Sequence, residues 1–163
     1  MNKRQRAILV EFISVIVITA IAVVAMINLK DWVNRSEAIR AMNDLGQKVL
    51  DYQQEYRRNY QQEYGKEYPY AAVPTEYYIN NIKKGLEGWV RLGNLQYRAR
   101  WIGPEATHDE VLAYTEKKYR SSLLSDGYVV LRLDGRVEWM GKQEFEELLA
   151  QQQSESEIEM MHK

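Results

Sequence analysis

Hydrophobic and polar positions divide this chain into successive regimes. Residues 7–29 are apolar, with Glu11 as the one charge. At about 1.5 Å of rise per residue they form roughly 34 Å of helix, enough to cross a hydrocarbon core of about 30 Å. From residue 30 to 65 the apolar positions become periodic. Ala38, Met42, Leu45, Val49, Tyr52 and Tyr56 recur every three or four residues, while Arg40, Asn43, Asp44, Gln47, Lys48 and Asp51 take the other face. No proline precedes Pro69, and Gly46 is the one soft spot. The pattern predicts a single helix that leaves the span as a stalk, its second half packed on the chain's own domain.

Beyond the stalk the period shortens. Gly65 and Pro69 are expected to end the helix, and Pro69 and Pro74 to hold a crossing loop over residues 66–75. Residues 75–85 predict a short helix capped by Thr75. Residues 95–102 alternate, with Leu95, Tyr97, Ala99 and Trp101 on one face, and residues 110–116 predict a second strand. Residues 127–133 and 136–140 flank Asp134-Gly135, the signature of a hairpin closed by a type I′ turn. Val129, Leu131, Leu133, Val137 and Trp139 should face inward. Residues 142–152 then read as a helix burying Phe145, Leu148 and Leu149. Residues 153–163 are polar without a core pattern and are expected to be a disordered tail.

These elements compose an α+β architecture. Its expected parts are a leader (1–6), a transmembrane helix (7–29), a stalk helix (30–65), a globular domain built on a small antiparallel sheet with a short C-terminal helix (66–152), and the tail (153–163). Tyr52, Tyr56, Tyr60, Tyr64 and Tyr68 add a ring stripe along the stalk, expected to pack.

Charge sets the orientation. Lys3, Arg4 and Arg6 precede the span with no acid among them, whereas Lys30, Asp31, Arg35, Glu37 and Arg40 nearly balance after it. The excess of cations places the N-terminus in the cytoplasm and the domain outside the inner membrane. A competing reading takes Ala20-Ile21-Ala22 as a signal cleavage site and the mature chain as a secreted binding domain. Glu11 costs about 2.5–3.5 kcal/mol at a bilayer centre and less near the interface, so it either snorkels or meets a partner inside the membrane.

The full chain has 22 basic and 23 acidic residues and no cysteine. It therefore has no disulfides, and its balanced charge gives no reason to expect nucleic acid. No nucleophile elbow, phosphate loop or zinc-protease motif is present, so neither enzymatic activity, a cofactor nor a small-molecule substrate is expected. His108-Asp109-Glu110 is contiguous and reads as a solvated strand entry rather than a metal site, and His162 has no ligand partner nearby. Asp126 and Asp134 precede glycines and read as turn residues.

The segment Arg6-Ala7-Ile8-Leu9-Val10-Glu11-Phe12-Ile13-Ser14-Val15-Ile16 resembles the N-terminus of type IV pilins and type II secretion pseudopilins. That motif has a basic leader, a cleavage point, and glutamate as the fifth residue of a hydrophobic run; counted from Ala7, Glu11 is fifth. Asn43-Asp44-Leu45-Gly46-Gln47-Lys48-Val49-Leu50-Asp51-Tyr52 and Tyr68-Pro69 are similar to the family's stalk and its closing Tyr-Pro. Tyr128-Val129-Val130-Leu131-Arg132-Leu133-Asp134-Gly135-Arg136-Val137-Glu138-Trp139 is similar to the ending of many pseudopilin-like proteins, which often have His where Arg136 stands. The resemblance implies processing between Arg6 and Ala7, and subunit assembly through Glu11. It also implies partners among pilin-like subunits or secretion-machine components. The family has glycine where this chain has Arg6 and usually phenylalanine at Ala7. Retention of the leader would instead give a non-polymerising, anchored envelope protein whose domain binds a partner.

Overall fold

The computed structural model describes residues 2–68, 72–103, 105–120 and 123–161; Pro69 and His162 lie outside them. Helix α1, Lys3–Tyr64, runs unbroken through the apolar segment and the stalk. It stops at Gly65, whose φ of 64° few side-chain-bearing residues adopt and whose N–H donates to the Gln61 carbonyl at 2.9 Å. The apolar half is exposed, from Ile8 through Leu29. Burial begins at Ala38 and follows the seam through Ala41, Met42, Leu45, Gly46, Val49 and Gln53. The stalk thus packs on the chain's own domain over residues 38–53, its middle rather than its second half, and residues beyond Gln53 are largely exposed.

A four-stranded antiparallel meander covers that seam. Strands β1 (Gln96–Tyr97), β2 (Val111–Lys117), β3 (Gly127–Arg132) and β4 (Val137–Gly141) lie in that order. Helix α2, Glu76–Ile82, starts where expected: the Thr75 Oγ1 accepts from the Tyr78 N–H at 3.3 Å. Helix α3, Lys142–Gln152, and a short helix α4, Glu155–Met161, follow the sheet.

The sheet separates two cores. On the stalk side, Met42, Leu45 and Val49 meet Leu92, Leu112, Ala113, Val129, Leu131 and Leu133. On the other, Val111, Tyr114, Val130 and Met140 meet Phe145 and Leu149 of α3. Burying each such aliphatic side chain stabilises the fold by about 1.5–3 kcal/mol. A register shift between Val111 and Ala113 explains how adjacent Leu112 and Ala113 join one core while Val111 joins the other.

Three expectations are corrected. The alternating run at 95–102 is a strand only at Gln96–Tyr97; Ala99–Trp101 form a 3-10 turn. The chain leaves extended geometry at Arg98 (φ −97°, ψ 13°), whose guanidinium turns inward, only 2 % of the residue exposed. The hairpin is not closed by a type I′ turn, because no described residue other than glycine has positive φ, so within the turn only Gly135 is left-handed, at 84°. Arg132 donates its N–H to the Arg136 carbonyl (2.8 Å) and accepts from the Gly135 N–H (3.0 Å). The loop therefore holds three residues, ending in the left-handed glycine. The extra residue lets Leu133 drop into the core, 1 % exposed, with its carbonyl accepting from the Gln53 Nε2 at 3.1 Å. Finally, residues 155–161 are helical rather than a disordered tail. Ser154 starts that helix, its carbonyl accepting from the N–H groups of Glu157 and Ile158, and a buried ion pair holds it.

Gly46 also acquires a reason. A Cβ there would lie 2.9 Å from Leu131 Cδ1 and 3.0 Å from the Gly135 carbonyl oxygen. The residue that weakens the isolated helix is the one that lets the hairpin turn approach it.

Candidate functional site

Helix α1 presents the N-terminal residues singled out in the sequence. Arg6 and Ala7 sit exposed in its first turns, and the Asn2 N–H donates to the Gln5 Oε1 at 3.0 Å. Polar side chains of the apolar segment turn back onto their own helix. Ser14 donates to the Val10 carbonyl and Thr19 to the Val15 carbonyl, both at 2.8 Å, and Asn28 Nδ2 donates to the Val24 carbonyl at 2.9 Å. An ionised carboxylate has no proton to donate to a carbonyl in this way. Glu11 accordingly has no hydrogen bond or ion pair among the described residues. Whatever satisfies it in an apolar medium comes from outside this stretch of helix.

The turn residues Asp134 and Gly135 meet the stalk rather than solvent alone. Gly135 stands against Leu50, which a Cβ would approach to 2.6 Å. Asp134 Oδ1 accepts from the Arg136 N–H at 3.0 Å and Oδ2 from the Arg136 Nε at 2.6 Å. Burial acts to raise the Asp134 carboxyl, but the backbone and guanidinium bonds from Arg136, aided by Arg132, outweigh it and hold it below its ordinary value. A depressed folded pKa contributes stability above the unfolded value of about 3.9 that is lost as pH falls through the folded one. Asp134→Asn is expected to keep the fold at neutral pH and to flatten the acid limb of the stability profile. Denaturant midpoints at neutral pH and below pH 4 check this; an unchanged acid limb would place the titration elsewhere.

Residues 108–110 serve the same corner. The His108 carbonyl accepts from the Asp134 N–H at 3.1 Å and the Glu110 carbonyl from the Leu133 N–H at 2.9 Å, while the Asp109 carboxylate pairs with Arg136. Among the described residues no cluster of three or more potential metal ligands occurs. The tyrosine stripe packs against itself and its neighbours. The Tyr68 ring lies 4.9 Å from Tyr56 and 5.0 Å from Tyr60, and Tyr52 lies 4.8 Å from Tyr78 of α2.

One constellation went unnoticed in the sequence. Arg98 Nε donates to Glu157 Oε1 at 2.6 Å and Nη2 to Oε2 at 2.8 Å, with the two side chains 3 % and 1 % exposed. Two further guanidinium protons reach the Val111 and Gln152 carbonyls. Nothing local distinguished Arg98, because Arg100 shares its face of the alternating run.

A helix long and apolar enough to cross a membrane is present, in α1 near the N-terminus, with none of its most apolar window buried. Comparison of the chain with family models, with curated proteins and with solved structures finds no match.

Proposed function

We propose that this chain is a single-pass, pilin-like structural subunit of a type II secretion or type IV pilus-like assembly. Its N-terminus lies in the cytoplasm and its α+β domain outside the inner membrane. The observation that carries this reading is a continuous α1 with two environments. Its first half is apolar, exposed and holds a carboxylate without a partner; residues 38–53 farther along are roofed by a meander sheet. A lone membrane carboxylate is expensive unless a cation or donor meets it, and a neighbouring subunit is a source of one. The role is scaffolding: the span stores the subunit in the bilayer and the domain provides lateral contacts.

Glu11→Leu tests it. The leucine variant should insert at least as well as the parent and lose co-assembly in membrane crosslinking. Unchanged crosslinking would remove Glu11 from assembly. Arg6, standing where the resembled family has glycine, favours a second reading: an anchored envelope protein that keeps its leader and binds a partner through its domain. The mass of the N-terminus isolated from membranes separates the two. A start at Ala7 supports the subunit; an intact Met1 supports the permanent anchor.

A further inference from the structure

Leu123, in the connection between β2 and β3, stands beside the apolar half of α1. Leu123, 78 % exposed, lines a groove with Ala20, Ile21, Val24, Ala25 and Asn28, which share one face of the helix. One contact ties this connection to α1 and a second closes it on itself. The Arg120 N–H donates to Asp31 Oδ2 at 2.9 Å, and the Tyr119 N–H to Asp126 Oδ1 at 2.8 Å.

Depth follows from helix geometry. At about 1.5 Å per residue, Val24 lies roughly 7.5 Å and Ala20 roughly 13.5 Å from Leu29 towards the N-terminus. A hydrocarbon core of about 30 Å counted from Ala7 ends near Met26. By either count Ala20, Ile21, Val24 and Ala25 lie below the outer edge of the hydrocarbon, with Asn28 at that edge. A leucine this exposed in water is ordinary alone, but here it abuts an apolar surface already assigned to lipid.

Just above that level the composition changes to that of a membrane–water boundary. The Arg35 guanidinium lies 4.1 Å from the Trp139 ring centroid, and the Tyr119 ring 5.7 Å from it. Trp32 is 59 % exposed, and Lys30, Lys118 and Arg120 are exposed at the same end of the domain. Tryptophan, tyrosine and cations concentrate at such boundaries because an apolar body and a polar tip are satisfied together there.

We propose that Leu123 is a membrane-docking residue, inserted in the outer leaflet beside α1, with Lys118 and Arg120 at the phospholipid headgroups. The occupant of the groove is lipid, because the groove continues the apolar surface of the span without a break. The domain then sits on the bilayer at a fixed height and azimuth. This rests on the reading of residues 7–29 as a membrane span, and the controls test that separately.

The chain has no cysteine, so single labels are clean. Leu123→Cys, Ile16→Cys and Tyr77→Cys, each in the full-length chain, would carry an environment-sensitive fluorophore in vesicles of zwitterionic and anionic phospholipid. All three side chains are more than half exposed, so substitution leaves the core intact. The expected result is strong quenching of the Leu123 and Ile16 labels by nitroxide-bearing lipid, and of the Tyr77 label by aqueous iodide. An Ile16 label quenched by lipid with a Leu123 label quenched by iodide would overturn the docking while leaving the span. A Leu123 label shielded from both quenchers would overturn it in favour of contact between copies. An Ile16 label open to iodide would remove the span and the docking with it.

Discussion

Glu157→Ala is expected to strip α4 of its amide protection and to lower the stability of the domain by up to about 3–5 kcal/mol, the usual loss when one member of a buried ion pair is removed. Arg98 and Glu157 are almost wholly enclosed, and the bidentate contact satisfies both carboxylate oxygens. Without Glu157 the guanidinium keeps only the Val111 and Gln152 carbonyls, at the edge where β1 ends. The cost has a ceiling, because α4 can swing away and let water reach Arg98. Seven residues of helix do not persist alone in water, so α4 would then unfold. Two measurements separate the routes. Hydrogen exchange over residues 152–161 reads release of α4, and the denaturant midpoint of the full chain in detergent reads the rest. Glu157→Gln should fall between the parent and alanine, since an amide still accepts from the guanidinium without its charge. A midpoint shifted by less than about 0.5 kcal/mol, the range of ordinary surface substitutions, with exchange unchanged, would show the pair to be dispensable.

The second large effect is expected at the hairpin turn. Gly135→Val places a β-branched residue at φ 84° and a Cβ only 2.6 Å from Leu50 Cδ1. The backbone strain costs about 1–3 kcal/mol and the forced repacking against Leu50 about 1–3 kcal/mol more. The damage should spread, because the same turn carries Leu133 into the core and its carbonyl onto Gln53. Two companion variants apportion the loss. Gly135→Asn keeps access to left-handed geometry and isolates the steric part. Leu50→Ala in the Gly135→Val background removes the clash and isolates the backbone part. Additive behaviour of the Leu50 and Gly135 changes would mean that the two residues do not press on each other.

Stalk and turn therefore form one joint. Gly46 on α1 faces the Gly135 carbonyl and Leu131, Leu50 faces Gly135, and Gln53 binds the Leu133 carbonyl. These contacts fix the hairpin turn of the sheet against the long helix.

Local periodicity determined much of this protein from the sequence alone. The apolar run and the three-four spacing from Ala38 to Tyr56 specified the long α1, and its buried face emerged at Ala38, Met42, Leu45 and Val49. Thr75, the alternation of Val129, Leu131 and Leu133, and the spacing of Phe145 and Leu149 specified α2, β3 and α3. Such signals reach four residues or fewer along the chain, and the side chains that create them lie on one element. Glu11 stood out locally as the one charge of the apolar run, whereas processing at Arg6 and Ala7 is what the resemblance implies.

Tertiary structure decided what depends on distant partners. Arg98 ends β1 because its acceptor Glu157 is 59 residues away, and the polar segment holding Glu157 orders for the same reason. No spacing rule anticipates that pairing, since an alternating run and a polar tail each look complete alone. The three-residue loop at Asp134-Gly135 was chosen over the tighter turn because Leu133 had a core to enter and Gln53 a carbonyl to bind. Gly46 reads as a weakness in an isolated helix and as a contact once the hairpin lies across it. Local propensity is a sum over near neighbours, whereas burial, charge pairing and close approach are settled only when separated segments meet.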